Sequence, residues 1–297
     1  RESLAGDKVN RIMGIVNGTT NFILDRMDMT GANFADALAE ATELGYAEAD
    51  PTADIEAFDA AQKAAILANL AFHTEVPLDQ VYREGITKVS AEQMAAAKRD
   101  GYVIKLLAIA ERVDADENGE AGVAVRVHPA LIERDHPLGA VHGAFNAVFV
   151  EAEAAGSLMF YGAGAGGVQT ASAVLGDLVS AAKRHVAGGP GLADSVHANL
   201  PVLPIERVRT RYQITIEVKD QQGVLAAVAN TFTQHGVSIE TVEQSVARAE
   251  DGKRVSTATL EVGTHEATEA ALAAVVDSLA VSDVVEKITS VLRVEGI

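Results

Sequence analysis

The chain has 297 residues, 48 % of them hydrophobic and 22 % charged, a length that fits two domains and a composition that is globular rather than disordered or fibrous. Acidic residues outnumber basic ones by 42 to 24, for a formal charge of −18, and the Lys and Arg residues fall singly or in pairs, which argues against nucleic acid and anionic membranes as partners. Cysteine is absent, so disulfides, thiolate metal sites and cysteine nucleophiles are excluded, and a reducing cytoplasm suits the chain.

No apolar run approaches the roughly 18–20 residues of a bilayer span. The start, Arg1-Glu2-Ser3-Leu4-Ala5-Gly6-Asp7, has no apolar core of a secretory signal and no initiator Met, so the sequence is expected to begin partway through a longer protein. In chain order, residues 9–16 read as a strand and 19–29 and 34–44 as helices. A longer helix is expected over 55–72 and a short one over 91–99. Strands follow at 103–113, 122–131 and 147–154, and a closing helix at 165–185. Helices grouped before strands predict an α+β fold over 1–190, a mixed sheet covered by helices. Gly188-Gly189-Pro190-Gly191, Pro201 and Pro204 break any regular element, so 191–209 reads as a linker.

The remainder, 210–297, has a compact pattern. Tyr212, Ile214, Ile216 and Val218 alternate with polar residues, the mark of a half-buried strand. Val224, Leu225, Val228 and Phe232 repeat at helical spacing before Gly236. Residues 237–246 and 255–262 read as strands joined by an Asp251-Gly252 turn. Leu272, Val275, Val276 and Leu279 form a second amphipathic stripe, and 288–294 a last strand. The order βαββαβ is that of a ferredoxin-like fold.

The stretch with the clearest chemistry is 45–63, where Glu48, Asp50 and Asp54 precede a helix that carries Asp59 and Lys63 four residues apart. Asp54 is placed to cap that helix. An ordinary exposed i,i+4 pair, worth about 0.3–0.5 kcal/mol, would account for Asp59 and Lys63 alone. The neighbours Ala60, Ala61, Ala64, Ala65, Ile66 and Leu67 make the helix nearly apolar all round, so it is expected to be buried. Charged groups there call for a polar cavity, in which a lysine can serve as general acid or base. A second feature is the Gly-rich run Tyr161-Gly162-Ala163-Gly164-Ala165-Gly166-Gly167 at a strand-to-helix junction. Its amides could receive an anion, or its small residues could simply allow close packing. His128, His136 and His142 show no metal-ligand spacing, and no metal site is expected. No βαβ unit with a glycine fingerprint opens the chain, so no complete Rossmann domain is expected.

The stretch 45–63, together with Gly14-Ile15-Val16-Asn17-Gly18-Thr19-Thr20-Asn21-Phe22-Ile23-Leu24, resembles homoserine dehydrogenase. The resemblance runs on through Val127-His128-Pro129-Ala130-Leu131 and Gly162-Ala163-Gly164-Ala165-Gly166 into the C-terminal part, which is similar to an ACT domain, and so covers the whole chain. It implies reversible reduction of L-aspartate 4-semialdehyde to L-homoserine with NADH or NADPH. It assigns Lys63 to the proton of the alcohol and aldehyde oxygen, and Glu48, Asp59 and Asp54 to substrate binding. Gly18, Thr19 and Tyr46 would receive the substrate, and Gly162, Gly164 and Gly166 would approach the nicotinamide half of the cofactor. In the ACT-like part, Asp220, Gly223 and Val224 would present backbone amides to an effector, threonine by analogy. A homo-oligomer, dimer or tetramer, with a sheet-mediated interface is expected.

One position departs from the family pattern: Ala57 stands where a glycine is usual, and alanine favours continued helix. The resemblance also implies a preceding Rossmann domain that supplies most cofactor contacts, a second lysine and a monovalent-cation site. Without it the chain is expected not to turn over. A second reading is a non-catalytic amino-acid-sensing, threonine-binding ACT module. A Schiff-base lyase using Lys63 is disfavoured, because Asp59 would hold that lysine as an ammonium.

Overall fold

A computed structural model describes residues 4–115, 121–188, 195–245 and 257–296. The chain divides into two compact units, Arg1–Pro129 with Arg134–Leu203, and Ala130–Glu133 with Pro204–Ile297.

In the first unit, strands β1 (Val9–Ile15), β3 (Tyr102–Val113), β4 (Gly122–Glu133, to Pro129 in this unit), β5 (Phe145–Ala152) and β6 (Gly156–Ala163) lie side by side in the order β6–β5–β1–β3–β4. A two-residue strand, β2 (Tyr82–Arg83), runs parallel to β4 while β1 is antiparallel to both its neighbours, so the sheet is mixed as expected. Helices α1 (Gly18–Thr30), α4 (Phe58–Phe72) and α5 (Ala91–Arg99) pack against β3. The small residues of α4, Ala60, Ala61, Ala64 and Ala68, let its backbone approach a core of Met13, Ile23, Leu24, Met27, Phe72, Ile104 and Leu107. Few aromatics are needed because alanine surfaces close the gaps that rings would otherwise fill. Each helix has a readable start: Asn17 caps α1 by accepting from Thr20 N, and Ser90 with Gln93 forms a capping box on α5. Helices α2 (Phe34–Glu43) and α6 (Gly167–Ala187) complete the unit, and α6 leaves Val168, Val174, Leu175 and Leu178 exposed.

Three expectations for this unit are corrected. The helix over 55–72 is broken: α3 (Thr52–Ile55) ends and α4 begins only after Ala57, which sits in the left-handed region at φ 61°. Tertiary hydrogen bonds take the carbonyls that a continuous helix would use. Ile86 N donates to Ile55 O at 2.8 Å and Arg83 Nη1 to Glu56 O at 2.7 Å. Asp54 is not a helix cap, because it lies within α3 and its carboxylate accepts from Asn17 instead. Nor is α4 buried all round: Ile66 is 59 % exposed on the side opposite its alanines. Strand β6 escaped the sequence reading, because its run Leu158-Met159-Phe160-Tyr161 has no polar alternation.

The second unit is built from β7 (Arg209–Lys219), α7 (Val224–Gln234), β8 (Ile239–Ser245), β9 (Thr257–Thr264), the short β10 (Ala267–Thr268), α8 (Glu269–Ala280) and β11 (Val285–Glu295). Its sheet order β11–β7–β9–β8, antiparallel throughout, is that of the ferredoxin-like fold. Alternate residues of β7, from Tyr212 to Val218, are buried against Val228, Phe232, Leu272, Val275 and Leu279 of the two helices. Buried Glu269 accepts a bidentate pair from Arg293 at 2.8 and 3.0 Å and a third bond from Tyr212 OH at 2.8 Å, so its charge is fully compensated. The expected Asp251-Gly252 turn lies outside the described residues.

Candidate active site

Chain entry into α1 and the break between α3 and α4 place four polar side chains together in the first unit. Asn17, at the end of β1, donates through Nδ2 to Asp54 Oδ1 at 2.7 Å and Asp59 Oδ2 at 2.9 Å. Lys63 Nζ donates to the same Asp59 Oδ2 at 2.7 Å and to Val16 O at 3.0 Å. The Lys63 side chain is 45 % exposed and Asp59 32 %, so the pair is a half-open ion pair rather than a buried one. An ammonium carries three donors; two are engaged, and one N–H is left for a ligand oxygen. One oxygen each of Asp54 and Asp59 likewise has no protein donor among the described residues, which suits a cationic group of a ligand.

These residues line a cavity of about 470 Å³. Gly18, Thr19, Gly45 and Tyr46 form a second side, and Ala144, Phe145, Asn146, Ala163, Gly164 and Ala165 a third. Thr19 Oγ1 donates to Tyr46 O at 2.7 Å, tying the first turn of α1 to the loop after α2. Gly18 is required for contact: a Cβ there would lie 2.7 Å from Ala144 O. At Gly164 an added Cβ would meet Asn146 Nδ2 at 2.1 Å, so this glycine leaves the room that the Asn146 side chain takes at the cavity edge.

Of the sequence-predicted residues, Lys63, Asp59, Asp54, Gly18, Thr19, Tyr46 and Gly164 thus meet around one cavity. Glu48 is exposed outside that lining. Gly162 lies in β6 opposite Asn146, and Gly166 ends the run at the start of α6 with φ 127°. Asp50 caps its own turn: Thr52 Oγ1 and Thr52 N hold its carboxyl below the usual carboxylate range. Sequence reasoning missed Asn17, Phe145 and Asn146. Asn17 carried a signal, since asparagine directly before a helix is a capping residue; the other two carried none. In the second unit Gly223 adopts φ 88° ahead of α7 and Val224 is buried beside it, with Asp220 in the same turn.

A family model described as homoserine dehydrogenase matches residues 1–179, and one described as ACT domain matches 212–280. The homoserine dehydrogenase of Mycobacterium tuberculosis H37Rv is 57 % identical over 295 residues, covering 99 % of this chain and 66 % of the relative. That of Corynebacterium glutamicum is 53 % identical over 99 % of this chain and 64 % of its own length. Among solved structures, a homoserine dehydrogenase from Thiobacillus denitrificans superposes with a TM-score of 0.88 at 37 % identity, over 99 % of this chain and 66 % of that one. A hyperthermophilic archaeal homoserine dehydrogenase in complex with NADPH gives a TM-score of 0.51 at 31 % identity, over 65 % of this chain and 52 % of that one. The chain therefore spans about 66 % of the length of curated relatives that it matches. With 60 % of its residues inside the homoserine dehydrogenase match and an ACT domain after it, this chain belongs to the homoserine dehydrogenase family.

Proposed function

We propose that this chain holds the substrate side of an NAD(P)-dependent homoserine dehydrogenase, which interconverts L-aspartate 4-semialdehyde and L-homoserine. The observation that carries the reading is the convergence of Asn17, Asp54, Asp59 and Lys63 on one cavity in a chain of this family. Asp54 and Asp59, with Glu48 drawn in by the ligand, bind the substrate α-ammonium. Gly18, Thr19 and Tyr46 line the cavity at the substrate's carboxylate end. The spare N–H of Lys63 donates to the substrate oxygen, stabilises the negative charge that grows there, and delivers its proton to complete the alcohol. In the reverse direction the same nitrogen withdraws that proton. A nicotinamide dinucleotide, NADP or NAD, would supply or accept the hydride, and Gly162, Gly164 and Gly166 would help to hold it.

This reading places most cofactor contacts, and with them turnover, in a dinucleotide-binding domain outside this span, in keeping with a chain that covers 66 % of the length of curated relatives. The same reading puts the second lysine and any monovalent-cation site there. It takes residues 1–190 as the substrate and assembly domain and 210–297 as an ACT regulatory domain joined by 191–209. The turn at Asp220, Gly223 and Val224 then receives threonine or a similar amino acid. Exposed apolar residues along α6 support a chain covered by further protein, a homo-oligomer, in its assembled form.

The test is homoserine-dependent reduction of NAD(P) by the protein that contains this chain, with and without Lys63→Ala. Loss of a general acid–base group predicts a fall in kcat of about 10²–10⁴-fold with nucleotide binding kept. Full turnover in Lys63→Ala would defeat the assignment. Absence of homoserine turnover together with threonine binding at the ACT unit would favour a sensing module instead.

A further inference from the structure

The loop 141–146 supplies the third side of the cavity through Ala144, Phe145 and Asn146, yet it belongs to no helix or strand until Phe145. What holds it is a set of buried polar groups behind it. The backbone carbonyls of Val141, Gly143 and Phe145 converge on Asn21 Nδ2 at 3.2, 2.8 and 3.2 Å. Lys105 Nζ, on β3, donates to Val141 O at 2.7 Å and to Asn21 Oδ1 at 3.1 Å. From the next turn of α1, Asp25 accepts from Gly143 N at 2.8 Å and pairs with His142 Nδ1 at 2.8 Å. Both Asn21 and Lys105 are buried, Lys105 fully.

We infer that Asn21 and Lys105 are positioning residues that set the cavity wall at 144–146 and thereby the affinity for substrate, although neither lines the cavity. A solvent-excluded ammonium costs several kcal/mol, and an apolar side chain of the same length would fill that space with no such cost. Here its donors go to a loop carbonyl and to the amide that orients the other two carbonyls. The stripe Asn17, Asn21 and Asp25, at intervals of four along α1, makes the arrangement a single part. Its first residue holds the carboxylates of Asp54 and Asp59 and the other two hold the opposite wall. The spacing between the walls is therefore set by one helix, not by the flexibility of the loop.

This inference rests on the substrate reading above, and its test separates the two. In the protein that contains this chain, the double substitution Asn21→Leu with Lys105→Met removes the side-chain donors to the loop carbonyls, leaves the Asp25 contacts in place, and keeps the core apolar. The expected result is cooperative unfolding retained, KM for homoserine raised at least about tenfold, and KM for the dinucleotide changed less than about twofold. A residue with only a structural role would move stability without that split. If the double variant does not fold, Asn21→Asp keeps an acceptor for Lys105 but removes the donors to the three carbonyls, and the same KM split is expected. Hydrogen–deuterium exchange of 141–146, free of any assumption about the reaction, should speed up at least about tenfold in either variant. Unchanged loop exchange, or a folded variant whose KM for homoserine stays within twofold of the parent, overturns the inference. Absence of homoserine turnover in the parent, with faster loop exchange in the variants, would sink the substrate reading and leave the clamp standing.

Discussion

Lys105 shows how one buried charge leaves a signature in solution. Burial pushes its ammonium down from 10.5 to about 8, while Asp25 and Asp28 pull it up and Arg134 pushes it further down. Below pH 8 both the folded and unfolded chains hold the proton, so the folded state bears the whole desolvation cost. Between pH 8 and 10.5 the folded chain releases the proton before the unfolded one does, and stability rises with pH across that window. The gain attributable to Lys105 is at most about 3 kcal/mol, because each tenfold loss of proton affinity on folding is worth about 1.36 kcal/mol. Denaturant titrations of the parent and Lys105→Met at pH 7.5 and 10 measure it: the parent should gain relative to the variant. An equal response in both would place the Lys105 ammonium near its ordinary value. Asn17 and Asn21 make the complementary point. Both stood in a sequence stretch that drew attention, yet a one-dimensional string gives no reason for an amide to bridge residues 37, 42 and 120 positions away.

The break between α3 and α4 is the element on which the site turns. Periodicity and apolar content favour one helix over 55–72, and alanine at 57 reinforces it. The structure sets Ala57 at φ 61° because β2 and the turn after it draw off the carbonyls of Ile55 and Glu56. Gly85 makes that approach possible, since a Cβ there would sit 2.4 Å from Ile55 O. Arg83 also stacks on Phe58, its guanidinium 3.6 Å from the ring centroid. The break turns α4 so that Asp59 and Lys63 meet Asn17. Ala57→Gly tests the geometry by its sign. At a left-handed position glycine relieves strain and should stabilise the chain by about 0.5–1 kcal/mol. In a continuous helix the same change would cost about 1 kcal/mol. A lowered denaturation midpoint would thus contradict the left-handed assignment.

A charge of −18 on 297 residues makes the folded chain repel itself. Raising salt from 0.01 M to 0.15 M shortens the screening length from about 30 to about 8 Å. The melting temperature should then rise by about 2–4 °C, the effect of about 1 kcal/mol on a chain of this size. A fall would show that favourable ion pairs such as Arg126–Glu111 outweigh the net repulsion. For the second unit, alternation in β7 and the stripes of α7 and α8 were enough to read the βαββαβ order, because a half-buried sheet and amphipathic helices print their periods directly on the chain. In the first unit most elements were legible for the same reason, and the acidic–lysine motif was legible because charges on an apolar helix are conspicuous. The strand β6 and the two-residue β2 were not, since neither has an alternating pattern to read. The sequence alone determined the two-part organisation, the ferredoxin-like half, and the residues Asp54, Asp59 and Lys63 as the place to look. Only the tertiary structure decided that the helix breaks at Ala57, that Asn17 joins the two carboxylates, and that Asn21 with Lys105 holds the opposite wall. Local propensity is written in neighbouring residues, whereas these features depend on hydrogen bonds between segments far apart in the chain, which exist only once the sheet has brought those segments together.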